Sequence, residues 1–312
     1  LDISTVLSAV SMMAIIILLG VIIGISFSVT EESKRLLTTI ILNIAVPSII
    51  LNGIFTMEIN DQLLSKMITL FLLSILFNTI GIGLGWMSAI VFGFRSVKSR
   101  KLAILAGLGN TGFIGIPVCT SLFGPSGGLL AAIFDAGLDV IIFTLVTVLL
   151  NKDGKFSLRS LKAMINIPIF AIVIGLTIAM IGYKPPILVK NLAATLSDLA
   201  APLAMLYIGL LISAFFKEKK ELPIRFISIS LMMKLLVFPL IILAVLQWIP
   251  VANELKLIAL VEVSMPTFMI ATVLFARYGH DEGTAVMATV YSTMCSLLTI
   301  PLIAYMASII FN

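Results

Sequence analysis

Gly109-Asn110-Thr111-Gly112-Phe113-Ile114-Gly115-Ile116-Pro117 interrupts an apolar stretch, 102–123, that otherwise reads as a membrane helix. Inside a helix, Gly costs about 1 kcal/mol and Pro about 3 kcal/mol relative to Ala. Three glycines, an Asn-Thr pair and a proline in one span therefore predict a break. In hydrocarbon, the backbone groups freed by a break need partners, so broken helices occur where protein or a polar cavity supplies them. Secondary transporters build midplane binding sites from such discontinuous helices.

The rest of the chain fits that setting. Of its 312 residues, 60% are hydrophobic and 11% charged, too much apolar surface for a soluble core of this size. Apolar runs of about 18 or more residues read as membrane helices, and ten such spans are predicted: 6–27, 36–56, 67–93, 102–123, 127–150, 163–182, 192–215, 226–248, 255–276 and 284–310. The expected fold is an all-α polytopic membrane protein. The first span is too long for a cleaved signal peptide, and no basic residue precedes it. The loops are short, leaving no room for an attached soluble domain.

The net charge of +5 does not signal nucleic acid, because of where the charge lies. Fifteen of the 20 Lys and Arg fall in the odd-numbered loops, namely Lys34, Arg35, Arg95, Lys98, Arg100, Lys101, Lys152, Lys155, Arg159, Lys162, Lys217, Lys219, Lys220, Arg225 and Arg277. The even-numbered loops hold only Lys66, Lys184, Lys190 and Lys256, and Lys234 lies inside a span. Basic loops stay cytoplasmic, so both termini are expected outside a bacterial or archaeal cytoplasmic membrane. Cys119 and Cys295 both fall in spans and read as packing residues, and His280 is the single histidine. No metal motif, nucleophile–histidine pair, aspartyl-protease-like motif or ATP-binding sequence is present. An enzyme, a primary pump and a resident cofactor are therefore not expected.

A shift of 155 residues aligns the chain with itself. Gly20 meets Gly175, Pro47 meets Pro202, Lys101-Leu102 meets Lys256-Leu257, Phe113 meets Phe268 and Gly124 meets Gly279. The halves 1–150 and 151–312 then read as two five-helix repeats. An odd number of spans per half makes the repeats inverted, with the site expected at their interface. The break at 109–117 maps onto 264–272, which carries Ser264, Pro266 and Thr267. Broken, crossing helices 4 and 9 follow.

Several residues are candidates for contact with a transported ligand: Asn110, Thr111, Gly112 and Pro117 in span 4, Ser264, Pro266 and Thr267 in span 9, and Asn43 beside Pro47. A helix N-terminus at a break favours an anion, and Asn110 adds both a donor and an acceptor. The plainer alternatives are a capped kink and glycines serving helix packing. Asp135, Asp139, Asp198, Lys234 and Glu262 are the ionisable residues within spans. Each is costly in hydrocarbon and should face water or protein. Asp135 and Asp139 share a helix face; neighbouring carboxylates raise one pKa and suit a proton carrier, and Lys234 is a natural partner for one of them. A static ion pair is the alternative.

The run from Gly109 through Gly115-Ile116-Pro117 to Phe123-Gly124 resembles the fourth helix of the auxin efflux carrier family, the PIN-like transporters. Pro266 followed by Phe275-Ala276-Arg277-Tyr278-Gly279 is similar to the family's ninth helix, and Asn43-Ile44-Ala45-Val46-Pro47 to the second-helix region of bacterial members. The short loop between spans 5 and 6 points to a bacterial or archaeal member. This resemblance implies a scaffold of helices 1, 2, 6 and 7, a moving transport domain of helices 3–5 and 8–10, and a homodimer in membrane lipid. It also implies Asn110 as the substrate asparagine and Lys234 as a support-site lysine. Plant members carry an acid in helix 3 where this chain has Asn78, so any proton relay would fall to Asp135 or Asp139. The expected function is alternating-access secondary transport of a small organic anion, a malonate- or malate-like dicarboxylate or an auxin-like carboxylate, with proton or sodium as coupling ion. A monovalent cation/proton antiporter is the alternative reading, and an uncoupled uniporter fits the same residues.

Overall fold

A computed structural model describes residues 3–27, 29–57, 60–94, 97–151, 166–217 and 223–311. The loop cations Arg95, Lys152, Lys155, Arg159, Lys162, Lys219 and Lys220, which carry much of the predicted charge bias, lie outside the described residues.

Among the described residues the regular structure is helical: α1 Ile3–Ser26, α2 Glu31–Thr56, α3 Asp61–Val91, α4 Val97–Gly107, α5 Thr111–Leu150, α6 Ile167–Met180, α7 Ile187–Ala214, α8 Ile224–Trp248, α9 Asn253–Val263, α10 Ile270–Arg277 and α11 Glu282–Phe311. Six of these (α2, α3, α5, α7, α8 and α11) are long and apolar enough to cross a membrane. Shorter apolar helices cover Ser11–Ser26 and Ile167–Met180. At 40 residues α5 is too long for one straight pass, and it breaks at Gly124, whose φ of 71° is in the left-handed region that favours glycine. Gly279, its partner under the 155-residue shift, has φ 68° in the turn before α11.

Of the four widened, π-type turns among the described residues, three share a cause, and the fourth, Ile142–Val146, has no proline after it. Ile41–Ala45 precedes Pro47, Thr111–Gly115 precedes Pro117, and Met233–Val237 precedes Pro239. Proline lacks an N–H and collides with the carbonyl four residues earlier. A one-residue π-bulge moves that carbonyl aside and keeps the helix running. Asn43 and Lys234 both sit in such turns.

The chain gathers into two compact units, each drawing on both halves of the sequence. The first contains Leu1–Leu70, Gly112–Ile133 and Ile165–Lys219. In it α1 crosses α7 at very short range: a Cβ on Gly20 would lie 2.4 Å from the Leu206 carbonyl, and one on Gly209 2.2 Å from the Ile17 carbonyl. Small residues at such crossings let backbones touch, which is how membrane helices associate without a hydrophobic drive. The second half of α2 packs on α6 and α7, where Asn52 Nδ2 donates to Ser197 Oγ at 3.3 Å.

The second unit contains Phe71–Thr111, Phe134–Met164 and Lys220–Asn312. Here α3 and α4 meet as closely. A Cβ on Gly107 would lie 2.5 Å from the Ile82 nitrogen. On the α5 side, Ser74 Oγ donates to the Phe134 carbonyl, and Gly137 packs against Phe71 and Ser74. Phe77, Phe134, Phe238 and Phe275 are fully buried and fill this interior.

Candidate functional site

In the second unit α4 ends at Gly107 and α5 begins at Thr111, while α9 ends at Val263 and α10 begins at Ile270. The two interruptions cross each other. Gly109 and Thr267 form an antiparallel bridge: the Asn110 N–H donates to the Pro266 carbonyl at 2.7 Å, and the Phe268 N–H to the Leu108 carbonyl at 3.3 Å. Pro266 has no N–H of its own, so it enters the crossing as an acceptor. Thr267 is held twice more. Its N–H donates to Ser292 Oγ at 3.0 Å, and its hydroxyl to the Leu105 carbonyl at 3.0 Å. Much of the polar backbone released by the two breaks is thus consumed inside the protein, as a low-dielectric setting demands.

This changes the source of ligand-binding donors. The N–H groups of Asn110, Thr267 and Phe268 are committed to protein acceptors and are not the free helix-end donors that the break suggested. The Asn110 side chain is different. The residue is 5% exposed, and its Nδ2 is buried with no protein acceptor in reach. Next to it, the Thr111 hydroxyl donates to Asp135 Oδ1. The reversal of α5 at Gly124 brings Asp135, 24 residues later, back to the first residue of the same helix.

Lys234 is fully buried. Its ammonium donates to the Val263 carbonyl at 2.9 Å and lies 5.0 Å from the centre of the Phe238 ring. A Cβ on Gly109 would stand only 3.1 Å from Nζ, so glycine at this position leaves room for the amine at the crossing. The carboxylate acting on Lys234 is that of Glu262, also fully buried, where the sequence suggested Asp135 or Asp139. Ser264 turns its hydroxyl back onto the Leu260 carbonyl and caps the end of α9. Asn78 is buried on α3 and donates to the Ser74 carbonyl and hydroxyl at 2.8 and 3.1 Å. Asp139 is buried one turn beyond Asp135.

The second unit therefore gathers Asn110, Thr111, Ser264, Pro266, Thr267, Asn78, Asp135, Asp139, Lys234 and Glu262. The other four candidates belong to the first unit. Gly112 lies in the π-turn opening α5, and Pro117 follows that turn. Asn43 is exposed on α2, and Asp198 is exposed at the break in α7 between Ser197 and Ala200. The sequence reading missed Ser292, because one serine among the many hydroxyls of α11 carries no distinguishing signal. Among the described residues no cluster of His, Cys, Asp or Glu could hold a metal ion.

Residues 5–160 and 156–304 match the membrane transport protein family. An uncharacterized transporter of Methanothermobacter thermautotrophicus is 25% identical over 92% of this chain and 94% of its own length. An uncharacterized transporter of Methanocaldococcus jannaschii is 28% identical over 95% of this chain and 97% of its own. The chain belongs to the membrane transport protein family, that of the PIN-like auxin efflux carriers, and is an integral membrane transporter.

Proposed function

We propose that this protein is a secondary active transporter of a small organic anion, working by alternating access. The observation that carries this reading is the Asn110 side-chain amide, a buried donor without a protein acceptor at the point where two broken helices cross. Leaving a buried donor unmade costs about 1–3 kcal/mol, a cost that a bound carboxylate would remove. Thr111, one residue on, supplies a hydroxyl, and Lys234 supplies positive charge near Gly109. A malonate- or malate-like dicarboxylate is the leading substrate class, with an auxin-like carboxylate behind it.

The same reading takes the chain as ten membrane passes in two inverted five-helix repeats. It is supported by the two interrupted helices at positions matched by the 155-residue shift, and by the matched left-handed glycines Gly124 and Gly279. Helices 1, 2, 6 and 7 would be the scaffold of a homodimer. That assignment draws on the first unit, which holds α1, α2, α6 and α7 together with residues 61–70 of α3 and 112–133 of α5.

The test is uptake of labelled malonate into proteoliposomes under imposed proton or sodium gradients. Asn110→Ala and its near-isostere Asn110→Leu should abolish uptake without lowering the melting temperature, since the amide donor has no protein partner to lose. Loss of fold in both variants, or uptake unchanged, would remove Asn110 from the site. The cation/proton antiporter reading draws on the buried Asp139 beside Asp135. A sodium-driven pH change in the vesicles that is indifferent to organic anions and lost in Asp139→Asn would select it.

A further inference from the structure

The turn after α3 is held by an arginine from α8. α3 ends in a Schellman arrangement: Gly93 takes φ 77°, its N–H donates to the Ile90 carbonyl at 3.0 Å, and the Phe94 N–H donates to the Ala89 carbonyl at 2.8 Å. The Phe92 carbonyl accepts from Arg225 Nη2 at 2.8 Å. The guanidinium carbon lies 5.5 Å from the centre of the Phe94 ring, and that ring meets the buried Phe226 edge-on at 5.5 Å. All of these groups belong to the second unit.

Capping α3 uses one N–H of Arg225. A guanidinium has five, in a rigid fork that matches the oxygens of a phosphate. The remaining donors have no protein acceptor, no carboxylate pairs with Arg225 among the described residues, and the residue is exposed. Its charge is therefore fixed in place by the Phe92 carbonyl and the Phe94 ring but not neutralised. Lys101, in the same unit, differs in that it feels the charge of Asp281.

The surroundings select the source of the phosphate. Ile90 and Val91 at the end of α3 are 63% and 75% exposed, and Ile224, beside Arg225 at the start of α8, is 71% exposed. On a membrane protein these side chains meet acyl chains, so Arg225 stands where an apolar rim gives way to a basic loop. Arg225 and the turn at Gly93 both belong to the odd-numbered, basic loops, and basic segments beside a membrane attract anionic lipids. A free phosphate would engage the guanidinium alone, whereas a phospholipid engages the guanidinium and the rim together.

We propose that Arg225, stacked on Phe94, is the head-group site for an anionic phospholipid, with Ile90, Val91 and Ile224 against its acyl chains. The bound lipid ties the end of α3 and the start of α8 to one leaflet. This holds whatever the protein transports.

The experiment uses the full-length protein in neutral detergent, with phosphatidylglycerol, phosphatidylcholine or inorganic phosphate added. Native mass spectrometry counts bound lipid, and melting temperature is read in parallel. Phosphatidylglycerol should bind and raise the melting temperature, less so as salt rises; the other two, at equal concentration, should do neither. Arg225→Gln keeps a donor for the Phe92 carbonyl but not the charge. It should melt like the wild type without lipid and bind phosphatidylglycerol about fivefold more weakly, the weight of one basic residue at an anionic surface. Arg225→Lys should recover part of that loss, and Arg277→Gln, which removes an exposed charge from another odd-numbered loop, should change little. Should the glutamine variant not fold, Phe94→Leu removes the ring that orients the guanidinium and should weaken binding in the same way. Lipid binding unchanged in Arg225→Gln, or in Phe94→Leu where that variant stands in, makes Arg225 a helix cap only and overturns the site. Equal weakening in Arg277→Gln makes the attraction diffuse and overturns it too. A response to inorganic phosphate as large as that to phosphatidylglycerol assigns the fork to a free anion and overturns the lipid.

Discussion

The Lys234 ammonium donates to the Val263 carbonyl at 2.9 Å, with both residues buried in the second unit. Val263 is the last residue of α9, where unpaired carbonyls and the helix dipole concentrate negative charge. A cation at a helix C-terminus is favourable, and here it is dry, faced by the Phe238 ring and acted on by Glu262. Removing one partner of a buried charge pair typically costs about 3–5 kcal/mol because the other is left uncompensated. Lys234→Met should therefore lower thermal stability sharply. Lys234→Met with Glu262→Gln should recover much of the loss, giving a large coupling energy in a double-mutant cycle. A single variant that melts with the wild type would mean that the buried amine contributes nothing.

Close backbone contact makes a second, sharper contrast. A Cβ on Gly107 would meet the Ile82 nitrogen at 2.5 Å and the Gly81 carbonyl carbon at 2.6 Å, and backbone on both sides gives little. Gly83, on the same α3 crossed by α4, has nothing within 4 Å of its would-be Cβ. Gly107→Ala should destabilise by about 1–3 kcal/mol through overpacking. Gly83→Ala should be neutral or gain about 0.5–1 kcal/mol from helix propensity. Melting temperatures in one detergent decide it, and equal effects at the two sites would undo the claim that α3 and α4 are locked at Gly107.

How much of this could be read from the residues varies from feature to feature. The break at 108–110 was legible because Gly, Asn-Thr and Pro cluster where an uninterrupted apolar helix would exclude them. The break at 264–269 followed from Pro266 and the 155-residue shift. The turn at Gly124 was visible as the gap between two apolar runs, but its consequence was not. Only the left-handed backbone there brings Asp135 back to Thr111. Lys234 was legible as a costly buried cation, yet the sequence pointed to acids for its partner. Its hydrogen-bond acceptor is the Val263 carbonyl, and backbone carbonyls are identical in every residue until the fold aims them. The same holds for the freed N–H groups, which the crossing satisfies across its own bridge.

Outside the spans, acid sensitivity has an assignable source in Asp281. Its carboxylate accepts from the Thr284 hydroxyl and from the Gly283 N–H at 3.1 Å, at the start of α11. The Thr284 hydroxyl above all, helped by backbone N–H groups and Lys101, holds it below its ordinary value near 3.8 against the opposing effect of burial. A carboxyl whose folded pKa is depressed contributes stability above its unfolded pKa, and that contribution fades as pH falls through the folded value. The window therefore lies below about pH 4, and the effect is modest because the group is largely solvated. Asp281→Asn should keep the cap and reduce the fall in melting temperature between pH 5 and pH 3. An unchanged acid limb would place the sensitivity at other carboxylates.

The hydroxyls of α11 differ in what they hold, which allows a test of the crossing that is independent of any substrate. Ser292 Oγ accepts from the Thr267 N–H at 3.0 Å and donates to the Thr289 carbonyl at 3.0 Å. Thr289, one turn earlier on the same helix and also buried, has a hydroxyl with no partner. Ser292→Ala strands a buried backbone donor at the bridge, a loss of about 1–3 kcal/mol. Thr289→Val removes a hydroxyl that satisfies nothing and keeps the shape, so stability should hold or rise. In hydrogen exchange Ser292→Ala should also lower protection of the Thr267 and Phe268 amides, whereas Thr289→Val leaves them unchanged. If both variants lose the same stability, Ser292 matters for packing alone, and the Gly109–Thr267 bridge is held by its own backbone bonds.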